Sequence, residues 1–163
     1  MRELVGSPAP FFALDDQFGQ RHTPGDYAGT SLLIVFFPFA FSPICSSEMG
    51  ELNELAGEAE GRGGWSVVCI SADSKYALRE FGDSHELSLT MLSDFWPHGA
   101  ASARYGAFDA ASGRAGRGTV VIAPDGIIDQ AELSDAGHAR DLAGWVRRAR
   151  TIGLESGSAG RSA

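Results

Sequence analysis

The chain has 163 residues, 44% of them hydrophobic, and a formal net charge of −8. That length suits one domain with a full apolar core, and an acidic balance without a basic run removes the electrostatic footprint of nucleic-acid binding. The longest apolar stretch, Leu32 to Phe41, is about half of the roughly 20 residues a transmembrane helix requires. Met1-Arg2-Glu3-Leu4 opens no secretory signal, so a cytoplasmic domain with neither membrane nor nucleic acid as partner is expected.

In chain order, Phe11 to Gln20 carries the turn Asp15-Asp16-Gln17-Phe18-Gly19, which predicts a small N-terminal hairpin or extended arm. Ser31 to Phe37 is an unbroken apolar run ending at Pro38, the signature of a strand buried on both faces of a parallel sheet. After the loop Phe39 to Phe41, Ser42 suits an N-cap and Pro43 the first helical position. Met49, Leu52, Leu55, Ala56 and Ala59 then repeat at helical spacing, which predicts a helix to about Gly61.

The pattern recurs. Trp65 to Ser71 predicts a second buried strand, and Ala77, Leu78 and Phe81 mark a helix opened by Asp73 or Ser74. Leu89 to Leu92 predicts a short strand and Ala100 to Tyr105 a short helix, followed by a Gly-rich loop from Ala110 to Gly116. Arg117 to Ala123, the turn Pro124-Asp125-Gly126 and Ile127 to Leu133 predict an antiparallel hairpin.

A last helix is expected from about His138 to Thr151, with Leu142, Val146 and Ala149 on its apolar face. From Gly153 the chain has no hydrophobic period, so residues 1–152 are expected to form the domain and 153–163 a frayed tail. The order βαβα…ββα predicts an α/β, thioredoxin-like fold: a central mixed β-sheet flanked by helices, with the N-terminal hairpin as an extension.

Of the two cysteines, neither sits in a Cys-x-x-Cys pair or at zinc-ligand spacing. A stapled fold is therefore set aside in favour of a reduced one with a reactive thiol. Cys45 falls in the first turn of a helix that leaves the C-terminal end of a central strand, the end where ligands bind in open α/β sheets. Unpaired first-turn N–H groups and the positive end of the helix dipole favour thiolate over thiol there.

Pro38, Ser42 and Cys45 meet the pattern Pro-x-x-x-Thr/Ser-x-x-Cys, and the chain thereby resembles the peroxiredoxin family. The resemblance extends through Val5 to Pro10, Ile70 to Asp73, Leu92 to Asp94, Arg117 to Thr119 and Pro124 to Gly126. Phe36-Phe37-Pro38 with Phe41, and Leu92 to Gly99 later, look most like its one-cysteine, alkyl hydroperoxide reductase E-like subgroup.

The resemblance implies a thiol-dependent peroxidase acting on hydrogen peroxide, alkyl hydroperoxides or peroxynitrite. Cys45 would be the peroxidatic cysteine that becomes sulfenic acid, Ser42 and Arg117 would hydrogen-bond the peroxide, Pro38 would shield the sulfur, and Glu48 would orient the arginine. No cofactor and no metal are implied, and a homodimer is. No cysteine follows Cys69 and Gly50 stands five residues after Cys45, so the sulfenic acid would need an external thiol, either a low-molecular-weight thiol or a thioredoxin- or glutaredoxin-type protein. Ser42 replaces the commoner Thr, keeping the hydroxyl without the methyl.

Other readings stand beside this one. Ser42-Pro43-Ile44-Cys45 occupies the place of a Cys-x-x-Cys motif, so a monothiol disulfide oxidoreductase is an alternative; so is a peroxiredoxin scaffold diverted to redox sensing or a biosynthetic reaction. Cys69, mid-strand, reads as a packed inert thiol rather than a resolving one. His22, His85, His98 and His138 are scattered without ligand spacing, and Arg114 reads as a solvated loop charge more readily than as a substitute for Arg117. Phe95 and Trp96 suit a substrate mouth, a dimer contact or the core.

Overall fold

The computed structural model describes residues 1–57 and 63–159. β1 (Leu14–Asp16) and β2 (Arg21–His22) form the N-terminal hairpin that the turn residues predict. Asp16 closes its turn by accepting from the N–H groups of Phe18 at 2.8 Å and Gln20 at 3.0 Å.

The alternating units follow: β3 (Ser31–Phe36), α1 (Pro43–Gly57), β4 (Trp65–Ser71), α2 (Lys75–Ser84) and β5 (Thr90–Ser93). After α3 (Ala100–Arg104) comes a two-stranded ribbon of β6 (Phe108–Asp109) and β7 (Arg114–Ala115), then β8 (Arg117–Ile122), β9 (Ile128–Ser134) and α4 (Leu142–Ala159). The main sheet runs β2-β1-β5-β4-β3-β8-β9. β3, β4 and β5 are parallel neighbours, and the outer strands add antiparallel, so the sheet is mixed as expected.

Period-two alternation along β3 divides the core. Leu33 and Val35, with Phe37 just beyond the strand, meet Met49 and Leu52 of α1, Leu78 and Phe81 of α2, and Leu142, Val146 and Ala149 of α4. Leu32, Ile34 and Phe36 face the other side, where they join Phe12, Tyr105 and the side chains that β8 and β9 present on the same face of the sheet. Every residue of β3 is buried, which accounts for its unbroken apolar run.

Two of the expected boundaries differ in the structure and one is untested. α1 is described to Gly57, and the predicted continuation over residues 58–61 lies outside the described residues. The Gly-rich stretch from Ala110 to Gly116 contains β7, whose pairing with β6 brings Arg114 opposite Asp109.

The third concerns the end of the chain. α4 begins at Leu142 and continues to Ala159, so the expected end near Thr151 and tail from Gly153 are corrected; residues 160–163 lie outside the described residues. The reason is a close approach. A Cβ on Gly153 would stand 2.2 Å from the carbonyl oxygen of Gly64 and 3.1 Å from Ser31 Oγ, so this glycine is where the helix crosses the start of β3 and β4 rather than where it breaks.

Candidate active site

β3 delivers Pro38 and the loop Phe39 to Phe41 to the C-terminal edge of the sheet. Phe41 holds φ at +69°, in the left-handed region that costs a non-glycine residue on the order of 1 kcal/mol. Its ring offsets part of that cost by an edge contact with Phe81 at 5.2 Å and with His85 at 5.9 Å between centroids. The bend sets Ser42 at the head of α1. There the Ser42 carbonyl accepts from Ser46 N–H at 2.9 Å and its Oγ accepts from Cys45 N–H at 3.4 Å, so Ser42 is the N-cap.

Cys45 is therefore in the first turn of α1, 2% exposed. It lies at the base of a cavity of about 400 Å³ that it shares with Pro38, Ser42, Arg114 and Arg117. Arg117 arrives from the far strand of a ladder: Val35 of β3 faces Thr119 of β8, so the antiparallel register carries the start of β8 to the edge where β3 ends. Ile44 and Leu133 add apolar wall, both more than half or half exposed at the rim.

The Arg117 guanidinium is held from three directions. Nη1 donates to the carbonyl of Asp135 at 2.8 Å and of His138 at 2.9 Å, and Nη2 donates to Glu48 Oε1. Its Nε is buried and has no acceptor among the described residues.

Glu48 lies on the next turn of α1 after Cys45, buried behind Arg117. Its second oxygen accepts from Arg140 Nη2 at 2.9 Å, a residue the sequence reading passed over. Arg140 Nη1 donates to the carbonyls of Phe36 at 3.0 Å and Gly118 at 3.1 Å and to Thr119 Oγ1 at 3.3 Å, filling the gap between β3 and β8. Burial pulls the Arg140 guanidinium below its ordinary value, Glu48 draws it back up, and the like charge of Arg117 adds to the downward pull. No spacing in the segment Gly137 to Asp141 marks this arginine; only the tertiary contact of that segment with the end of the sheet does.

The structure thus brings Cys45, Ser42, Pro38 and Arg117 to one cavity and places Glu48 behind the arginine. Cys69 lies on β4 opposite Val35, fully buried, and burial pushes its thiol up to about 12. Both cysteines are free thiols. Arg114, read as a solvated charge, lines the cavity with its guanidinium 5.8 Å from the centre of the Phe39 ring. Phe95 and Trp96 are outside this cavity and exposed, at 53% and 81%.

Comparison with known proteins agrees with this geometry. The AhpC/TSA family model matches residues 5–131. Alkyl hydroperoxide reductase E of Mycobacterium tuberculosis is 39% identical over 143 residues, covering 87% of this chain and 93% of that protein. Alkyl hydroperoxide reductase C of Staphylococcus aureus is 29% identical over 130 residues, covering 77% of this chain and 67% of that protein. Among solved structures, Enterococcus faecalis AhpC superposes with a TM-score of 0.83 at 26% identity, covering 98% of both chains. The thioredoxin-like α/β fold expected from the element order is the one these structures share, and the chain belongs to the AhpC/TSA peroxiredoxin family.

Proposed function

We propose that this chain reduces hydrogen peroxide, alkyl hydroperoxides or peroxynitrite through a sulfenic acid on Cys45. As a member of the AhpC/TSA peroxiredoxin family it is a thiol-dependent peroxidase, and the observation that carries the assignment to Cys45 is that it shares one cavity with Ser42, Pro38 and Arg117. Cys45 attacks the terminal peroxide oxygen as thiolate. The S–O bond forms as the O–O bond breaks, and the alkoxide or hydroxide that leaves takes up a proton.

The Arg117 guanidinium lines the cavity and meets the charge moving onto the leaving oxygen, and its orientation is set beforehand by Glu48 and two carbonyls. The Ser42 oxygen accepts from Cys45 N–H, so its own O–H is free to donate to the peroxide. Pro38, buried beside the sulfur, carries no N–H of its own and keeps that wall of the cavity dry.

Cys69 is buried in the sheet, so the sulfenic acid is resolved by an external thiol in a one-cysteine cycle, and a reducing compartment such as the cytoplasm suits that chemistry. Among the described residues, no helix is long and apolar enough to cross a membrane. The exposed rings of Phe41, Phe95 and Trp96 support a homodimer formed through that side of the molecule.

Stopped-flow tryptophan fluorescence of the reduced protein mixed with peroxide tests the reading. A second-order reaction far faster than that of a free thiol, lost in Cys45→Ser and kept in Cys69→Ala, is the expected result. Equal loss in both variants, or rapid mixed-disulfide exchange with a sluggish peroxide reaction, overturns it.

A further inference from the structure

The cavity over Cys45 contains a pair of opposite charges that the peroxide step does not use. Asp109 of β6 and Arg114 of β7 face each other across the two-residue ladder, and both line the cavity. Cross-strand partners of opposite sign ordinarily form an ion pair. These two do not: among the described residues there is no salt bridge between them, and Ser112 stands between, donating from Oγ to Asp109 and accepting from Arg114 Nε at 3.0 Å.

The consequence is a cation and an anion held at fixed positions with their outer faces open. Arg114 Nε is tied to Ser112 and its guanidinium is over Phe39, while Nη1 and Nη2 have no protein acceptor among the described residues. The Asp109 carboxylate is fixed by Ser112 Oγ and by Ala111 N–H at 3.1 Å. The ligand complementary to such a pair carries an anionic and a cationic group close together. A carboxylate suits the planar fork of Arg114 and an ammonium suits Asp109.

Resting on the peroxidase reading, we infer that Arg114 and Asp109 are specificity-determining residues for the reducing thiol, and that they select a low-molecular-weight thiol bearing an amino-acid head group, ammonium and carboxylate on one carbon. Once the peroxide product has left, a thiol entering the cavity that Asp109 and Arg114 line reaches the sulfenic acid on Cys45. The thiol's sulfur attacks the Cys45 sulfur, an S–S bond forms, and the S–O bond breaks. Hydroxide leaves and takes the thiol's proton as water. A second molecule of the same thiol then displaces Cys45, giving the free thiol and the small disulfide.

The test compares four thiols on the preformed sulfenic acid: cysteine, 3-mercaptopropionate without the ammonium, cysteamine without the carboxylate, and 2-mercaptoethanol with neither. Each rate is divided by that for 2-mercaptoethanol in the same variant, which cancels any general effect of the substitution, and comparing that ratio with the unsubstituted protein's cancels intrinsic thiol reactivity. In Arg114→Gln the relative rates of cysteine and 3-mercaptopropionate fall about fivefold, the scale of an exposed ion pair. In Asp109→Asn those of cysteine and cysteamine fall similarly.

Relative rates that stay at their unsubstituted values in both variants overturn the inference, and a fall in Arg114→Gln alone overturns the amino-acid class by removing the ammonium half. Trapping the sulfenic acid with dimedone beforehand separates this from the underlying reading. If no adduct forms on Cys45, the peroxidase assignment fails; if it forms and the ratios do not move, only the present inference does.

Discussion

Glu48 Oε2 accepts a hydrogen bond from Arg140 Nη2 at 2.9 Å, and the bond joins the helix that begins beside Cys45 to the segment before the last helix. Since Glu48 Oε1 also accepts from Arg117, one carboxylate bridges two buried guanidiniums. Glu48→Gln leaves two like charges facing each other out of water. A loss of about 3 kcal/mol is expected, the low end for breaking a buried pair, which thermal unfolding reads as a fall in Tm of about 10 °C. A variant that melts with the unsubstituted protein shows that the carboxylate is not what holds the pair.

Arg117→Lys keeps a positive charge but cannot reproduce the fork that meets Glu48 and the carbonyls of Asp135 and His138 at the edge of the cavity. The second-order rate of Cys45 oxidation by hydrogen peroxide is expected to fall by about a hundredfold, the scale of losing one preorganised donor. An unchanged stopped-flow rate shows that charge alone suffices.

Ser42 combines two tasks, capping α1 and donating into the cavity. Ser42→Ala loses both, with a stability cost of about 1 kcal/mol from the cap and slower oxidation of Cys45. Ser42→Thr keeps the hydroxyl and narrows its rotamers, so it retains the rate. Denaturant unfolding and stopped-flow oxidation of the two variants separate the tasks. Oxidation of Ser42→Ala at the unsubstituted rate removes the hydroxyl from the chemistry.

Cys69 is expected to resist iodoacetamide in the folded protein while Cys45 is alkylated, as peptide mass mapping reads directly. Burial pushes the Cys69 thiol up to about 12, whereas in an unfolded chain it titrates near 8.5, roughly the model-peptide value. The folded protein therefore keeps a proton that the unfolded chain gives up. This contribution to stability is full below about pH 8.5 and is lost as pH rises from there through about 12. Denaturant unfolding should show a steeper decline with pH above 8.5 than in Cys69→Ala, the excess reaching up to about 1.4 kcal/mol per pH unit. Equal slopes in the two proteins contradict it.

Gly153 and Gly157 lie one turn apart on α4 with opposite surroundings. Gly153→Ala forces a methyl against the Gly64 carbonyl and is expected to destabilise by about 1–3 kcal/mol. Gly157→Ala meets nothing within 4 Å and should stabilise by about 0.5–1 kcal/mol through helix propensity. Thermal melts of the pair check both signs, and destabilisation by both variants excludes the propensity account.

What the residues announced by themselves was everything that depends on neighbours along the chain. The buried run of β3, the cap of Ser42 before Pro43, the first-turn position of Cys45 and the turn at Pro124 to Gly126 are local, because alternation, capping and turn chemistry act over a few residues. Arg117 and Glu48 were legible only through resemblance to a family.

The tertiary structure alone decided the rest. Arg140 is an ordinary arginine until the gap between β3 and β8 closes around it, and Gly153 ends a helix on paper but admits a crossing in space. Arg114 reads as a loop charge until β6 and β7 pair and turn it toward the sulfur's cavity. For Arg140 and Gly153 the deciding partner lies far away in sequence, and for Arg114 the cavity it lines does; burial and close approach are properties of the packed chain that no local pattern encodes.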